Sequence, residues 1–563
     1  MVNLTISSMV TIVYCLTNVF TFNAYAFSNE MKNYHFRLIK NDVNFYSDRN
    51  PVAKYDNSIL DTNYNIEGND ENFSRSHKEV FGNVQNKSSI DGYLRAAIET
   101  TALFGFVSLY YWGTKSSKSD FDYDVSFQTL RKKFSGQAVL FDDNSIGTNS
   151  FPGHPLSGSY YYLIARDSKL SRLESFLWSF AASSVHEFFI ELPEVVSIND
   201  LVVTPVAGAA IGESMYQFGR YFRCSKNKND LMYKIIAAVM DPIALVNSFF
   251  FNDMYNQFSQ ENSCYYNSFQ KDFSISHGMN MNYHENTHDL DIGFILGFHG
   301  KLYLLPGYGQ EADMDGFFNN TVLTETGLEF SITDARVDKL RFLAKTVWAA
   351  YWRQRVIGDP AGQITGYSFF AGLASAFEHI QYETGEFEDW IGAVHVLGPV
   401  LELTFFHQNG YLRISLDTFG DFAMVRPFAF ERYKKSHAIN NVKSILREED
   451  YYYAFGVQVN PKIEAQYGAY RLLAEYKYAY YDSFEGADRR KPSNDFHLAD
   501  TRQEYGVRLG RQLDFLETKF LQLHPISVEA EARRIVRAGF IADDQVAHAG
   551  STTWLLLRFR MSL

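Results

Sequence analysis

A chain of 563 residues exceeds one ordinary globular domain, so two or more regions are expected. Its formal net charge of −13 argues against a nucleic-acid partner, which favours a basic face. No Walker pattern or dinucleotide fingerprint follows an apolar run, so no cofactor is expected. No uninterrupted apolar stretch reaches the ~18 residues of a spanning helix; the best internal candidate, Leu231 to Phe251, is broken by Lys234, Asp241, Pro242 and Asn247. If the chain is integral to a membrane, strands must do the spanning, because only helices and closed barrels satisfy their backbone in lipid.

At the N-terminus, Met9 to Leu16 forms a short apolar core and Ala24-Tyr25-Ala26 a small-residue cleavage pattern, so residues 1–26 read as an export signal. The pattern departs from the usual one in having no Lys or Arg before the core. Tyr14 is too large to precede a lipoprotein cleavage site, so lipidation at Cys15 is not expected. Residues 27–88, rich in Asn, Ser and Asp without a period, read as a flexible segment. In an oxidising compartment Cys224 and Cys264 are a candidate disulfide.

Residues 89–265 read as a helical domain. Ile90 to Trp112 has a helical pattern with Arg95 and Glu99 four apart, and a loop-like stretch runs from Asp120 to about Gly158. Ser171 to Glu191 opens with Ser171 and Glu174 at capping-box spacing, and Ser197 to Phe222 repeats the device with Asp200. Asp230 to Asn247 is kinked or stopped at Pro242. Gly208 and Gly212, one turn apart, would allow two helix backbones to approach closely.

The order Phe141-Asp142-Asp143-Asn144, Thr148-Asn149, His154-Pro155, Gly158, Ala165-Arg166, His186-Glu187, Ser197 to Leu201, Thr204-Pro205, Gly208, Gly212-Glu213 and Asp241-Pro242 resembles a bacterial envelope family catalogued as domain of unknown function 3943. The likeness covers about residues 90–250. It implies an outer-membrane location, and it implies no particular reaction.

Beyond about residue 270 the period changes to two. Leu401, Leu403 and Phe405 flank Glu402 and Thr404; Leu412, Ile414 and Leu416 alternate with Arg413, Ser415 and Asp417. Tyr470 to Tyr480, Glu504 to Leu509 and Ile526 to Arg533 repeat the pattern, and Leu555 to Leu563 places Leu555, Leu557, Phe559 and Met561 opposite Arg558, Arg560 and Ser562. Such segments in series suit an outer-membrane barrel with an apolar outside and a polar inside. Residues 266–563 are therefore read as a transmembrane β-barrel of about twelve antiparallel strands, giving an α+β chain. The closing Leu563 departs from the aromatic residue that usually ends such barrels.

Two constellations are candidates for chemistry. In the helical region His154, His186, Glu187 and Asp200 are the catalytic candidates, with Asp143, Asn149, Arg166, Glu191, Asn199 and Glu213 as a polar network. One reading is a satisfied network in which Arg166 pairs with a glutamate. Another is a hydrolase with a histidine base and Ser157, Ser183 or Ser184 as nucleophile. A third, a metal held by His154 or His186 with Glu187 and Glu191, lacks the second histidine of the zinc-protease pattern. The second constellation is the lumen charge set Arg413, Asp417, Glu475, Arg508, Arg558 and Arg560.

The reading is an integral protein of a Gram-negative outer membrane, structural or a gated pore, with the helices plugging the lumen or capping its periplasmic mouth. The alternative is a membrane-embedded hydrolase of envelope lipid or glycan. Expected partners are outer-membrane lipid, the barrel-assembly machinery and a small-solute or lipid ligand.

Overall fold

A computed structural model describes residues 90–562 apart from 115–121, 142–144, 226, 251–269, 286, 334–335, 360–362, 385–386, 437–443, 485–496, 514–525 and 542–545. The expected export signal, the segment 27–88, Asp143 and Cys264 lie outside the described residues.

The helical region comprises α1 (Ile90–Thr114), α2 (Phe127–Phe134), α3 (Ile146–Ser150), α4 (Gly153–Asp167), α5 (Arg172–Val185), α6 (Ile198–Cys224), α7 (Leu231–Met240) and α8 (Pro242–Phe250). Two short strands, β1 (Val139–Leu140) and β2 (Val196–Ser197), pair in parallel and tie α2's end to the start of α6. Local chemistry sets the ends. Ser171 and Glu174 form a full capping box at α5, and the Ser197 hydroxyl accepts from the Asp200 amide at the start of α6. Pro242 lacks an amide hydrogen to continue α7, and the chain bends by 103° there. Gly158 and Gly208 let α4 and α6 cross backbone to backbone: a Cβ on Gly208 would fall 2.4 Å from the Gly158 carbonyl carbon. Cys224, at the end of α6, is disulfide-bonded.

Twelve antiparallel strands then close a barrel: β3 (Lys271–His284), β4 (Asp289–Tyr303), β6 (Leu323–Thr333), β7 (Arg336–Gly358), β8 (Ile364–Thr384), β9 (Phe387–Gln408), β10 (Gly410–Val425), β11 (Tyr452–Tyr467), β12 (Tyr470–Ser483), β13 (Leu498–Gln512), β14 (Ile526–Ile541) and β15 (Val546–Ser562). Each pairs with the next, and β15 closes on β3 with Leu557 opposite Met279. A short strand, β5 (Ala312–Phe318), pairs with the far end of β7. The α+β reading and the twelve strands are thus observed.

Ion pairs identify the interior. Arg341 on β7 meets Glu504 on β13 at 2.8 Å, Lys345 on β7 meets Asp417 on β10 at 2.8 Å, and Lys301 on β4 meets Glu402 on β9 at 3.1 Å. These strands are not neighbours, so the pairs must cross the lumen. Side chains alternate along a strand, so Phe342, Ala344, Thr346, Phe377 and His379 point to the outer wall.

The helices lie on that outer wall. Val203, Ala207 and Ile211 of α6 bury against Ala344, Phe377, Val394, Phe422 and Met424. Thr346 donates to the Ala210 carbonyl at 3.1 Å, and its hydroxyl is 3.3 Å from that of Ser214. The Trp390 indole donates to Ser150 of α3 at 3.1 Å, and Asn149 donates to the hydroxyls of Tyr451 and Tyr453. At the other end of α6, Phe218, Tyr221 and Phe222 surround Phe273 of β3.

The expected plug or periplasmic cap is therefore corrected. The lumen is lined throughout by charged side chains that pair with one another and is filled by them over about half its length, so an apolar helix face has nothing to offer it. The outer wall offers alanine, valine, phenylalanine and methionine, and α6 takes it.

Candidate functional site

The helical polar cluster forms where α4, α5 and α6 meet. His154 opens α4, and its Nε2 is 3.2 Å from Oδ1 of Asp200. After α5 the chain makes one π turn, His186–Ile190, in which the Glu191 amide bonds back to the His186 carbonyl. Wide turns of this kind recur at functional sites. The turn brings His186 Nε2 to 3.3 Å from Glu191 and aims Glu187 at the Ser197 amide, which donates to its carboxylate at 2.9 Å. Ser197 donates to Asn199 at 2.7 Å, and Asn199 to Asp200 at 2.9 Å. Lys133 of α2 donates to the carbonyls of Glu187 and Glu191, so it fastens the turn by its backbone.

Burial dominates the electrostatics. It pushes the His154 imidazole down to about 4 against the pull of Glu191, with His186 adding to the fall. Lys133 is pushed down to about 8 by burial, opposed by Glu187 and Glu191. At neutral pH His154 is thus an uncharged ring beside the Asp200 carboxylate.

The structure brings His154, His186, Glu187, Glu191, Asn199 and Asp200 into one neighbourhood, but the serines do not join them. Ser157 donates to the His154 carbonyl at 2.9 Å, Ser183 to the Asp200 carbonyl at 3.1 Å and Ser184 to the Phe180 carbonyl at 2.8 Å. Among the described residues no hydrogen bond links any of these hydroxyls to an imidazole. Nor does any group of three or more His, Cys, Asp or Glu among them have metal-holding geometry.

Arg166 and Glu213 form a second, separate centre. The Arg166 guanidinium meets Glu213 at 2.9 Å and lies over the Tyr216 ring. Tyr162, Gln217 and Thr321 also donate to Glu213 at 2.8, 2.6 and 2.9 Å, which satisfies a fully buried carboxylate. Thr321 comes from the turn before β6. The pair therefore bolts the helices to the barrel.

In the lumen, the six sequence candidates are all ion-paired. Arg413 meets Glu464 at 2.9 Å, Glu475 meets Arg533 at 2.9 Å, Arg508 meets Glu531 at 2.8 Å, and Asp417 is held by Lys345. Arg558 meets Glu329 at 3.1 Å and Arg560 meets Glu529 at 3.3 Å. A polar cavity of about 460 Å³ opens at the end where β9 turns into β10 and β11 into β12. The other half of the lumen is filled. Glu378 is held by Arg341 and Lys477, and Glu504 by Arg341, Arg502 and Arg533. Beyond them Arg537 bridges Asp389 and Asp500, and Ile380, Tyr382, Ile391, Tyr452, Tyr481 and Trp554 bury together. Two short helices between β10 and β11, α9 (Phe430–Ser436) and α10 (Ile445–Glu448), add Phe430, Tyr433 and Leu446 to this layer.

Sequence reasoning missed Lys301, Lys345 and Glu329, the opposite partners of the lumen pairs. Their signal was present, because Lys339, Arg341 and Lys345 and again Glu325 and Glu329 share parity along β7 and β6. It also missed Thr346 and His379, polar residues of the outer wall that only a covering helix makes sensible.

No curated protein matches the chain. Among solved structures it is similar to OmpT, an outer membrane protein of Vibrio cholerae, at 7% identity and TM-score 0.19, over 53% of this chain and 98% of that one. It is also similar to OccK2 (OpdF) of Pseudomonas aeruginosa at 8% identity and TM-score 0.15, over 53% and 98%. A third is the beta domain of the Bordetella autotransporter BrkA, at 8% identity and TM-score 0.17, over 52% and 99%. Residues 138–243, from the start of the β1 strand to the first turn of α8, match the model of the family described as Domain of unknown function (DUF3943), as the sequence resemblance implied, and the closed twelve-strand barrel follows them.

Proposed function

We propose that the protein is an integral outer-membrane protein of a Gram-negative bacterium whose barrel does not conduct but anchors the helical domain to its own outer wall. One observation carries this reading: the lumen is open for about half its length and then crossed by paired charges and an aromatic layer. A solute entering the 460 Å³ cavity would have to break buried ion pairs to go further, and removing one partner of such a pair costs on the order of 3–5 kcal/mol. The open half remains a polar vestibule in which a small solute would fit. On this reading lipid surrounds the barrel, and the barrel-assembly machinery inserts it.

The reading is tested in planar lipid bilayers. The purified protein should be electrically silent, and it should stay silent when Glu378→Gln is combined with Glu504→Gln, because the aromatic layer beyond these pairs still closes the lumen. Stepwise conductance from the unaltered protein would overturn it.

A hydrolase of envelope lipid or glycan is a second reading, favoured by one observation. His186 keeps a buried ring nitrogen with no hydrogen-bond partner, on a π turn beside a second histidine. Here His154 or His186 would act on water directly, since the serines are engaged elsewhere. Envelope lipids that are unchanged when the protein is overproduced, and identical in a His186→Gln strain, would dismiss it.

A further inference from the structure

The helical domain has two sides. One is spent on the barrel wall. On the other, Ile235, Val239, Leu245, Val246, Phe249 and Phe250 of α7 and α8 stand exposed, as do Phe106 and Leu109 of α1. A water-facing helix would carry charge on such a face. Between Ile235 and Phe250 the sole charged residue is Asp241, which is fully buried and held by Arg223 at 2.6 Å. The bent pair α7–α8 is also the one helical segment among the described residues that qualifies as a membrane segment by length and composition, though no single helix is both long and apolar enough to cross.

The barrel wall supplies the context. Where no helix covers it, Leu412, Ile414, Val507, Leu509, Leu555 and Leu557 stand exposed in the same way. Both exposed faces are apolar.

We propose that α1, α7 and α8 lie in the hydrocarbon of the bilayer beside the barrel, with acyl chains as the occupant of their exposed face. The inference deepens the outer-membrane reading and rests on it. The hydrocarbon then meets a composite rim, part strand and part helix. Buried charges such as Asp241 and Arg223 sit between the helices, as polar groups at membrane depth must. Lys234, at the start of α7, reaches outward from that rim.

The test uses the full chain in liposomes, with nitroxide labels at Val239→Cys, Phe249→Cys and, as a barrel reference, Leu557→Cys; Cys224 is disulfide-bonded and does not compete. Relaxation by oxygen should exceed relaxation by a water-soluble nickel chelate at all three positions. Chelate-dominated relaxation at Val239 and Phe249, with Leu557 still oxygen-dominated, would overturn this inference and leave the barrel reading intact. Water access at Leu557 as well would overturn the barrel reading itself. Spin–spin broadening at Phe249, lost on dilution with unlabelled protein, would replace the acyl chains with a second copy and overturn the proposal.

Discussion

The barrel has two kinds of outer wall, and the difference between them explains the chain. On the bare wall, runs of outward positions are apolar: Leu412 and Ile414 on β10, Val507 and Leu509 on β13, Leu555, Leu557 and Phe559 on β15. On the covered wall the outward positions include Thr346, which donates to the Ala210 carbonyl, Ser375, which accepts from the Trp348 indole, and His379, which lies under Phe151. Gly392 leaves room for α3, since a Cβ there would fall 2.3 Å from that of Ser150. Hydrocarbon tolerates no unpaired polar group, so on the proposed outer-membrane reading the bare wall suits lipid, while the covered wall suits protein.

The comparison is broken most severely at its anchor. Glu213→Ala leaves Arg166 buried without its carboxylate and should cost the helical layer on the order of 3–5 kcal/mol. Limited proteolysis should then cut the helices while the barrel keeps its heat-modifiable gel mobility. Next, Leu557→Arg on the bare wall should cost about 2–4 kcal/mol in urea-titrated refolding into liposomes, without exposing the helices to protease. Gly208→Ala forces α4 and α6 apart and should cost about 1–3 kcal/mol by the proteolysis assay. Thr346→Val removes one neutral hydrogen bond and should cost about 1 kcal/mol.

The smallest change is invisible at neutral pH. The folded His154 holds its proton only below about 4, whereas the unfolded imidazole takes it up near the usual ~6.5. As pH falls from about 6.5 towards 4 the unfolded chain binds more protons, so the helical layer loses stability in that window. His154→Phe should flatten the acid limb of a proteolysis-against-pH curve and leave pH 8 unchanged. An equal acid limb in both proteins would remove His154 as its cause.

The bare wall was legible because an apolar outside and paired charges inside enforce a strict alternation, as in Leu412 to Asp417. The covered wall was not. From Phe369 to Phe377, β8 reads Phe-Phe-Ala-Gly-Leu-Ala-Ser-Ala-Phe, small and apolar on both faces because both are buried by protein over much of that length. The caps at Ser171 and Ser197 and the break at Pro242 were also readable, since each depends on residues a few positions apart. What α6 packs against was not readable. An apolar helix face is the same sequence whether it meets a lumen, a lipid or a barrel wall. The cluster shared this limit: the histidines and carboxylates could be named, but the serine hydroxyls turned to backbone carbonyls instead, Ser157 and Ser184 within their own helices and Ser183 on α6.

The polar patch on the covered wall also constrains biogenesis. If the barrel lies in a bilayer as proposed, a nascent barrel with His379 and Thr346 uncovered would present hydrogen-bonding groups to acyl chains, so α6 would have to be seated before those strands reach lipid. The order of the chain permits this, because the helices are translated ahead of every strand they shield. Cotransit of helix and strand, rather than docking onto a finished cylinder, is the assembly route such a wall requires.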